Sequence, residues 1–279
     1  MNEITLVLIS YKSENKIYKF IQKTPKDLKI IIIENSNNKS FKKNIEKKYK
    51  NISVHIKEND GVSSSLNFAV KYIKTKYFLQ ISPDIDFNFD ELKFFLNLAQ
   101  NLGDDFAAIG PIFEGVKEKS HKQIKKNLEY GEINAIHGSC MFINKKNYNV
   151  IGGFDDNFFL YFEETEFCYR AKKKGFLSYQ INKSKVVSNG RSVEITDQKE
   201  ERRISNILIW HFIWSKFYFN KLKYGKFISI LIFIPIFVRI IIKLFFYIAT
   251  NDNKKIEKYK FRLSGLINSI LEKKSSLRP

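Results

Sequence analysis

Four short apolar runs in the first third of the chain decide most of what it can become: "ITLVLIS" (4–10), "LKIIIIE" (28–34), "ISVHIK" (52–57) and "KYFLQIS" (76–82). Each is of strand length, too short to cross a bilayer, and lacks polar alternation, so both of its faces must be covered. Helix-compatible segments separate them. Ser13 can cap a helix reaching about Thr24, and "ENDGVSSS" opens another that carries Asn67, Ala69 and Tyr72. A helix near 88–102 and the run "FAAIGPIF" (106–113) continue the series. This βαβαβαβ order predicts an α/β fold built on a doubly wound, mostly parallel sheet.

Sheets of this kind bind ligands at the carboxyl ends of their strands. Polar residues collect at those ends: Ser10 and Tyr11, then Glu34 to Ser36, then Asn59 to Gly61, then Asp84 and Asp86. Each group alone is compatible with ordinary turn chemistry. Four groups on one rim point to a site.

Further along, residues 114–131 are polar and aperiodic and read as a mobile loop, and "INAIHGSCMFI" (133–143) reads as a strand crossing the core. Gly152 and Gly153 punctuate the chain, and "EETEFCYRAKKKG" reads as a helix stopped by Gly175. Beyond residue 196 the pattern is wholly helical. The expected organisation is one domain over 1–195 and a helical extension over 196–279. The cysteines, Cys140 and Cys168, form no CxxC pair, which fits a reducing compartment. The start, "MNEITLVLISYK", has no basic leader pattern and no cleavage site.

Charge is distributed unevenly. From Arg203 to Pro279 there are 15 Lys+Arg and 3 Asp+Glu, a net +12 of the chain's total of +19. These cations flank "FISILIFIPIFVRIIIKLFFYIA" (227–249), which is long enough to span a bilayer, since about 20 apolar residues suffice. Spanning would put one basic flank on the wrong side, and Pro235, Arg239 and Lys243 interrupt the run. An interfacial or re-entrant helix on an anionic membrane surface is expected, peripheral or monotopic at the cytoplasmic face of the plasma membrane. The alternative is a helix packed on the catalytic domain. Nucleic acid is not the expected partner, because the sheet rim is acidic and the positive charge lies beside the apolar run.

Two acidic stretches can carry chemistry. Asp84, delivered by "SPDID", offers a carboxylate for Mg²⁺ or Mn²⁺, which takes its other ligands from water and substrate phosphates. The "EETEFCYR" helix places Glu163 and Glu164 in its first turn, where the macrodipole favours acids, and spaces Glu166 and Arg170 as an i, i+4 pair. The rings of "GGFDDNFFLYF" stand in front of it. Burial among rings raises a carboxyl pKa, which suits a general base.

With "LVLISYK", "IIENS", "NDGVSSSLN" (59–67), "SPD" (82–84), "GSCMFINK" (138–145) and above all "GGFDDNFFLYFEETEFCYR" (152–170), the chain resembles glycosyltransferases of family 2 with the GT-A fold. Within the family it most resembles the bacterial rhamnosyltransferase-like branch. The resemblance covers roughly 4–192, and "HFIWSKFYFNKLKYG" (211–225) and the C-terminal stretch also resemble that branch. It implies an inverting enzyme that moves a sugar from a dTDP-, UDP- or GDP-sugar to a lipid-linked or polysaccharide acceptor in cell-surface glycan synthesis. By the same resemblance Asp84 is the metal-binding acid; Asp86, which the match does not place in register, is the fallback ligand. Glu34 contacts the nucleotide, alongside Ser10, Tyr11, Ser36, Asn59, Gly61 and Asn67, and Glu164 is the catalytic base. The acceptor side would hold His137, Gly138, Glu163 and Arg191; His137 is alternatively a histidine satisfied within the core. The family usually has Asp where this chain has Glu34, Glu164 and Glu166. It often has a histidine where this chain reads "VVSNGRS" (186–192), with Arg191 as a partial substitute. These departures keep a second reading open, a catalytically inactive membrane-bound scaffold.

Overall fold

A computed structural model describes residues 2–114, 124–125, 127–195 and 197–279. Most of the loop expected over 114–131 therefore lies outside the described residues. The chain divides into two compact units, one formed by Met1–Asp155 with Glu163–Glu194, the other by Asp156–Phe162 with Ile195–Pro279.

The first unit alternates strands and helices as β1 (Ile4–Ser10), α1 (Glu14–Lys23), β2 (Lys29–Glu34), α2 (Lys39–Lys48), β3 (Ile52–Ile56), α3 (Val62–Val70) and β4 (Tyr77–Ile81). It continues with β5 (Ile85–Asp86), α4 (Leu92–Leu102), β6 (Phe106–Glu114), β7 (Tyr130–Glu132), β8 (Cys140–Asn144), α5 (Lys145–Ile151), α6 (Glu163–Lys173) and β9 (Leu177–Ser188). The strands form one sheet in the order β3-β2-β1-β4-β8-β6-β9-β5, with β7 added on β9. β3, β2, β1 and β4 pair in parallel, β8 runs antiparallel between β4 and β6, and β9 returns parallel to β6. The sheet is mixed and mostly parallel.

The continuous apolar runs are explained by cover on both faces. Leu6, Leu8, Ile30 and Ile32 pack with Ile17 and Phe20 of α1 and Phe95 of α4. Their neighbours Val7, Ile31 and Ile33 point to the other face, against Leu66 of α3, Tyr148 of α5 and Phe167 of α6. The strand expected over 133–143 is shorter than its apolar content implies: pairing covers only Cys140–Asn144. β9 had no apolar run to announce it. Its middle, "INKSK", is polar, and the register with β6 slips between Pro111–Ile181 and Ile112–Lys185.

Among the described residues the second unit contains three helices, α7 (Gln198–Tyr224), α8 (Lys226–Ala249) and α9 (Asn253–Ile270). Ile213 and Phe217, Phe233 and Ile240, and Tyr259 and Leu266, a pair from each helix, form its core. Gly265 is required there, because a Cβ would come 2.6 Å from the Trp210 carbonyl oxygen. The segment 156–162 packs on α7: Phe159 stacks on His211 at 4.5 Å, and Ser215 Oγ donates to the Leu160 carbonyl at 2.8 Å. Tyr161 and Phe162 hold φ values of 68° and 69°, a left-handed conformation that strains bulky residues, and both rings contact Phe212.

Candidate active site

The β1–α1 turn sets one side of the rim. Ser10 is fully buried, and its hydroxyl meets that of Ser13 at 3.2 Å. Ser13 therefore does not cap α1 with its side chain, contrary to expectation. Glu194 does so from the far end of the unit: its Oε1 accepts the Lys16 N–H at 3.0 Å, and its Oε2 accepts from Asn15 Nδ2 at 3.0 Å. Glu194 N–H also donates to the Lys12 carbonyl at 2.7 Å, so the chain after β9 closes over the first turn. Tyr11 is half-buried beside it.

Glu34 ends β2 with no exposed surface. Its Oε1 accepts the Ser36 N–H at 2.8 Å and also the Ser36 hydroxyl, and its Oε2 accepts the Asn38 N–H at 2.7 Å. The carboxylate thus shapes its own loop. Asn35 joins that loop to its neighbours, donating to the Lys57 carbonyl at 3.0 Å and accepting from Ser65 Oγ at 3.0 Å. Asn59 is half-buried before Gly61, whose φ of 105° starts α3 in a conformation few other residues tolerate.

Asn67 faces inward from α3. Its Nδ2 donates to the Phe154 carbonyl at 2.9 Å, and its Oδ1 accepts the Phe154 N–H at 3.0 Å and the Tyr148 hydroxyl. Named for the donor side, Asn67 clamps the glycine turn with its amide. A Cβ on Gly153 would lie 2.7 Å from Asn67 Oδ1, and Gly153 has a φ of 69°. From the other side, Arg170 donates to the Ile151 carbonyl at 2.9 Å, to the Gly153 carbonyl at 2.6 Å and to Glu166 Oε2 at 2.8 Å. The Glu166–Arg170 pair expected from spacing therefore fixes the turn to the acidic helix.

Asp84 is 9% exposed, and both of its carboxylate oxygens are oriented by hydroxyls. Ser192 Oγ donates to Oδ1 at 2.6 Å and Ser188 Oγ donates to Oδ2 at 2.9 Å, while the Asp84 carbonyl accepts the Asn189 N–H at 2.9 Å. "SNGRS" (188–192) thus supplies hydroxyls from both its ends. Arg191, between them, lends its carbonyl to Lys16 Nζ. Asp86 goes elsewhere: it pairs at 3.0 Å with Lys23 on the surface. Among the described residues no three of His, Cys, Asp and Glu gather as a metal cluster. The donor set present, one oriented carboxylate with hydroxyl oxygens beside it, fits a divalent cation that completes its shell with phosphate and water.

Strand register brings the acidic helix to the same rim. β4 and β8 align Ile81 with Cys140, and Ser82 N–H donates to the Ser139 carbonyl at 2.9 Å. Asp84 lies two residues past Ser82, and Gly138 one residue before Ser139. A Cβ on Gly138 would lie 3.5 Å from Glu164 Oε2 and 3.7 Å from Glu164 Cβ, so Glu164 rests against that loop. Its Oε1 accepts from Thr165 Oγ1 at 3.0 Å, and the residue is half-buried. Glu163 is only 6% exposed, and its Oε2 has no hydrogen-bond partner among the described residues. Burial foremost, and then the neighbouring Glu164 charge, raise the Glu163 pKa well above its ordinary 4.5. His137 stacks on Phe113 at 4.0 Å, and its Nδ1 accepts the Ser139 N–H at 3.3 Å.

Ser188, Ser192 and Glu194 were not singled out by the sequence. The faint signal was a serine at each end of "SNGRS", in a stretch that otherwise stood out for its missing histidine.

Comparison with known proteins agrees with this architecture. Over 199 residues the chain is 22% identical to the low-salt glycan biosynthesis hexosyltransferase Agl10 of Haloferax volcanii, a match covering 62% of this chain and 63% of that protein. The match thus spans less than two thirds of that curated relative. A mannosyltransferase of Pyrobaculum calidifontis, PcManGT, in complex with GDP-Man and Mn²⁺, superposes with a TM-score of 0.59 at 10% identity, covering 98% of this chain and 88% of that one. GalNAc-T7, solved with UDP, GalNAc and Mn²⁺, gives 0.54 at 14% identity over 78% of this chain and 50% of its own. Residues 1–349 of TarS from S. aureus give 0.55 at 13% identity, covering 97% and 92%. At such identities the structures share the fold, here GT-A-like with a C-terminal helical extension. The sequence of residues 5–166 matches the model of glycosyl transferase family 2, well over half of the chain, and to that family the chain belongs.

Proposed function

We propose that the protein is an inverting glycosyltransferase, moving a sugar from a nucleotide-sugar donor to a lipid-linked or glycan acceptor in glycan synthesis. The observation that carries this reading is the Ser82–Ser139 pairing, which sets the Asp84 loop beside the Gly138 loop on which Glu164 rests. That proximity supports a division of labour on one rim, with Asp84 toward the cation and Glu164 toward the acceptor's proton.

Asp84, oriented by Ser188 and Ser192, would hold Mg²⁺ or Mn²⁺. When bound, the cation supplies charge neutralisation for the departing diphosphate. The loops of Ser10–Tyr11, Ser36 and Asn59–Gly61 line the donor side of the rim, their backbones fixed by Glu34, Asn35 and Glu194. Glu164 takes the proton of the acceptor hydroxyl as its oxygen bonds the anomeric carbon and the bond to the nucleoside diphosphate breaks. A neutral Glu163 beside it adds no second negative charge and offers its proton to a sugar hydroxyl or to the acceptor. His137 and Arg191 flank this side. Single displacement inverts the anomeric carbon. A deoxyhexose donor such as a rhamnosyl nucleotide is the first to try, given the chain's resemblance to that branch.

The helical unit is read as the membrane anchor at the cytoplasmic face. α8 has a mean hydropathy of 2.5 over its best window, of which only 17% is buried. Phe227, Ile242 and Phe245 are 75%, 62% and 68% exposed, a bare apolar face with cations at both ends.

A panel of dTDP-, UDP- and GDP-sugars, each with Mn²⁺ or Mg²⁺, tests the reading through release of nucleoside diphosphate. Metal-dependent release from at least one donor, lost in Asp84→Asn, is expected. Tight nucleotide binding with no release from any donor would favour the inactive scaffold.

A further inference from the structure

The helical unit holds a cleft of about 670 Å³ between the start of α7, the first half of α9 and the tail beyond it. Lys199, Arg202 and Arg203 of α7, Lys260 of α9 and Arg278 of the tail line it, with Glu257 as the one acid on its walls among the described residues. The lining therefore carries five cations against one anion, a net +4, and Arg202 takes Glu257 in an ion pair. Asn206 and Ile207, 6% and 5% exposed, lie at its base. Like charges around one hollow repel each other, and an anion inside relieves that repulsion. Arginine forks match phosphate oxygens in particular, and a net +4 suits a dianionic head better than a singly charged diester.

Helix direction says where such a phosphate comes from. Arg202 meets Glu257, Trp210 Nε1 donates to Ser264 Oγ at 3.3 Å, and Trp214 Nε1 donates to the Lys273 carbonyl at 3.1 Å. α7 and α9 are therefore parallel, and α8 runs back between them in sequence. Its last turns reach the end of the bundle where the cleft lies, with Phe245, Phe246 and Ile248 more than half exposed. A bare apolar face that ends near a basic hollow follows the order of a lipid, tail first and then phosphate.

We propose that this cleft takes the phosphomonoester or diphosphate head of a lipid whose chain lies along the exposed face of α8. The proposal rests on reading the helical unit as membrane-bound and is independent of the sugar transfer assigned to the rim.

The test uses the full chain and vesicles of phosphatidylcholine doped either with phosphatidate or with phosphatidylserine to equal surface charge. Wild type is expected to prefer phosphatidate by about tenfold, as charge-assisted pairing to a dianion predicts. Combining Lys199→Ala, Arg203→Ala and Lys260→Ala should bring that preference to about one, since all three side chains are exposed and line the cleft. The control removes Lys254, Lys258 and Lys274, cations of the same unit outside the lining, and should weaken both vesicles alike while keeping the preference. Lys199→Gln with Lys260→Gln gives the same reading where the triple variant does not fold. Inorganic phosphate separates the two phosphate sources: a preference that survives it belongs to the lipid, and displacement at equal concentration would overturn a lipid occupant. A wild type without preference, or a control that loses it equally, would also overturn the proposal. Nucleoside diphosphate release, measured alongside, reports separately on the transferase reading.

Discussion

Ser192 donates its hydroxyl to Asp84 at 2.6 Å across 108 residues of sequence, and with Ser188 it holds both oxygens of the carboxylate proposed to meet a cation. Asp84→Asn should remove metal-dependent donor cleavage and the rise in melting temperature that nucleoside diphosphate with Mn²⁺ gives the wild type. Ser192→Ala should weaken the metal response by about 10- to 100-fold, since a hydrogen bond to a charged group contributes about 1.5–3 kcal/mol. Titrating Mn²⁺ against melting temperature checks both. An Asn variant with an unchanged metal response would move the cation off Asp84.

Glu163 gives the first unit a pH signature. Its folded pKa is raised, so between 4.5 and that raised value the unfolded chain loses a proton that the native state keeps. Stability contributed by this group is complete below 4.5 and falls as pH rises through the window. Glu163→Gln should flatten that slope and melt higher than wild type on the alkaline side. Melting curves from acid to mildly alkaline pH show the difference. Parallel curves for the two proteins would mean that Glu163 is ionised in the fold.

His211 acts at the opposite end of the scale, in the helical unit. Its Nδ1 meets Ser275 Oγ at 2.9 Å and its Nε2 meets the Leu277 carbonyl at 2.7 Å, and burial lowers its pKa from 6.5 to about 4. A lowered histidine pKa contributes stability that is present above 6.5 and lost as pH falls toward 4. His211→Asn should lose part of that acid-side slope. Tryptophan fluorescence, through Trp210 and Trp214 in the same unit, reads it.

The glycine turn before the acidic helix couples two residues. Gly153→Ala should cost about 1–3 kcal/mol, because φ is positive and the new Cβ meets Asn67 Oδ1 at 2.7 Å. Gly152→Ala, whose nearest neighbour is Arg170 Nη1 at 3.9 Å, should cost about 1 kcal/mol. Asn67→Ala should lower stability alone and cost less in the Gly153→Ala background. Additive costs in urea unfolding would contradict the contact.

Removing α8 outright would strip the core from α7 and α9, since Phe233 and Ile240 are part of it. Phe245→Asn with Phe246→Asn instead changes only exposed side chains, 68% and 59% accessible. The pair should reduce binding to anionic vesicles by more than tenfold, at about 1.5–3 kcal/mol for each buried ring, and leave nucleotide binding unchanged. Flotation equal to wild type would place this face elsewhere than in lipid.

The parallel half of the sheet was legible because its strands are covered on both faces and read as unbroken apolar runs. β9 was not: its polar middle and its register slip against β6 leave no period to detect. Asp84 and Glu164 stood out in their motif context, but the hydrogen bonds made by Asn67 and Glu34 were not legible, because a side chain's hydrogen-bond partners are set by tertiary contact. Asn67 spends its amide on Phe154, 87 residues away, and Glu194 caps a helix 178 residues before it. Asp86 follows Asp84 closely in sequence, yet it meets Lys23 at the surface.

Glu164 as the proton acceptor stands or falls on three proteins compared side by side. Sugar transfer by wild type, Glu164→Gln and Glu163→Gln is measured with an active donor, Mn²⁺ and a lipid-linked or glycan acceptor, with donor affinity followed in parallel. Transfer by Glu164→Gln should fall by about 10²- to 10⁴-fold at unchanged donor affinity, and Glu163→Gln should lose transfer moderately. Full transfer by Glu164→Gln, or a dead Glu163→Gln beside an active Glu164→Gln, would contradict that role.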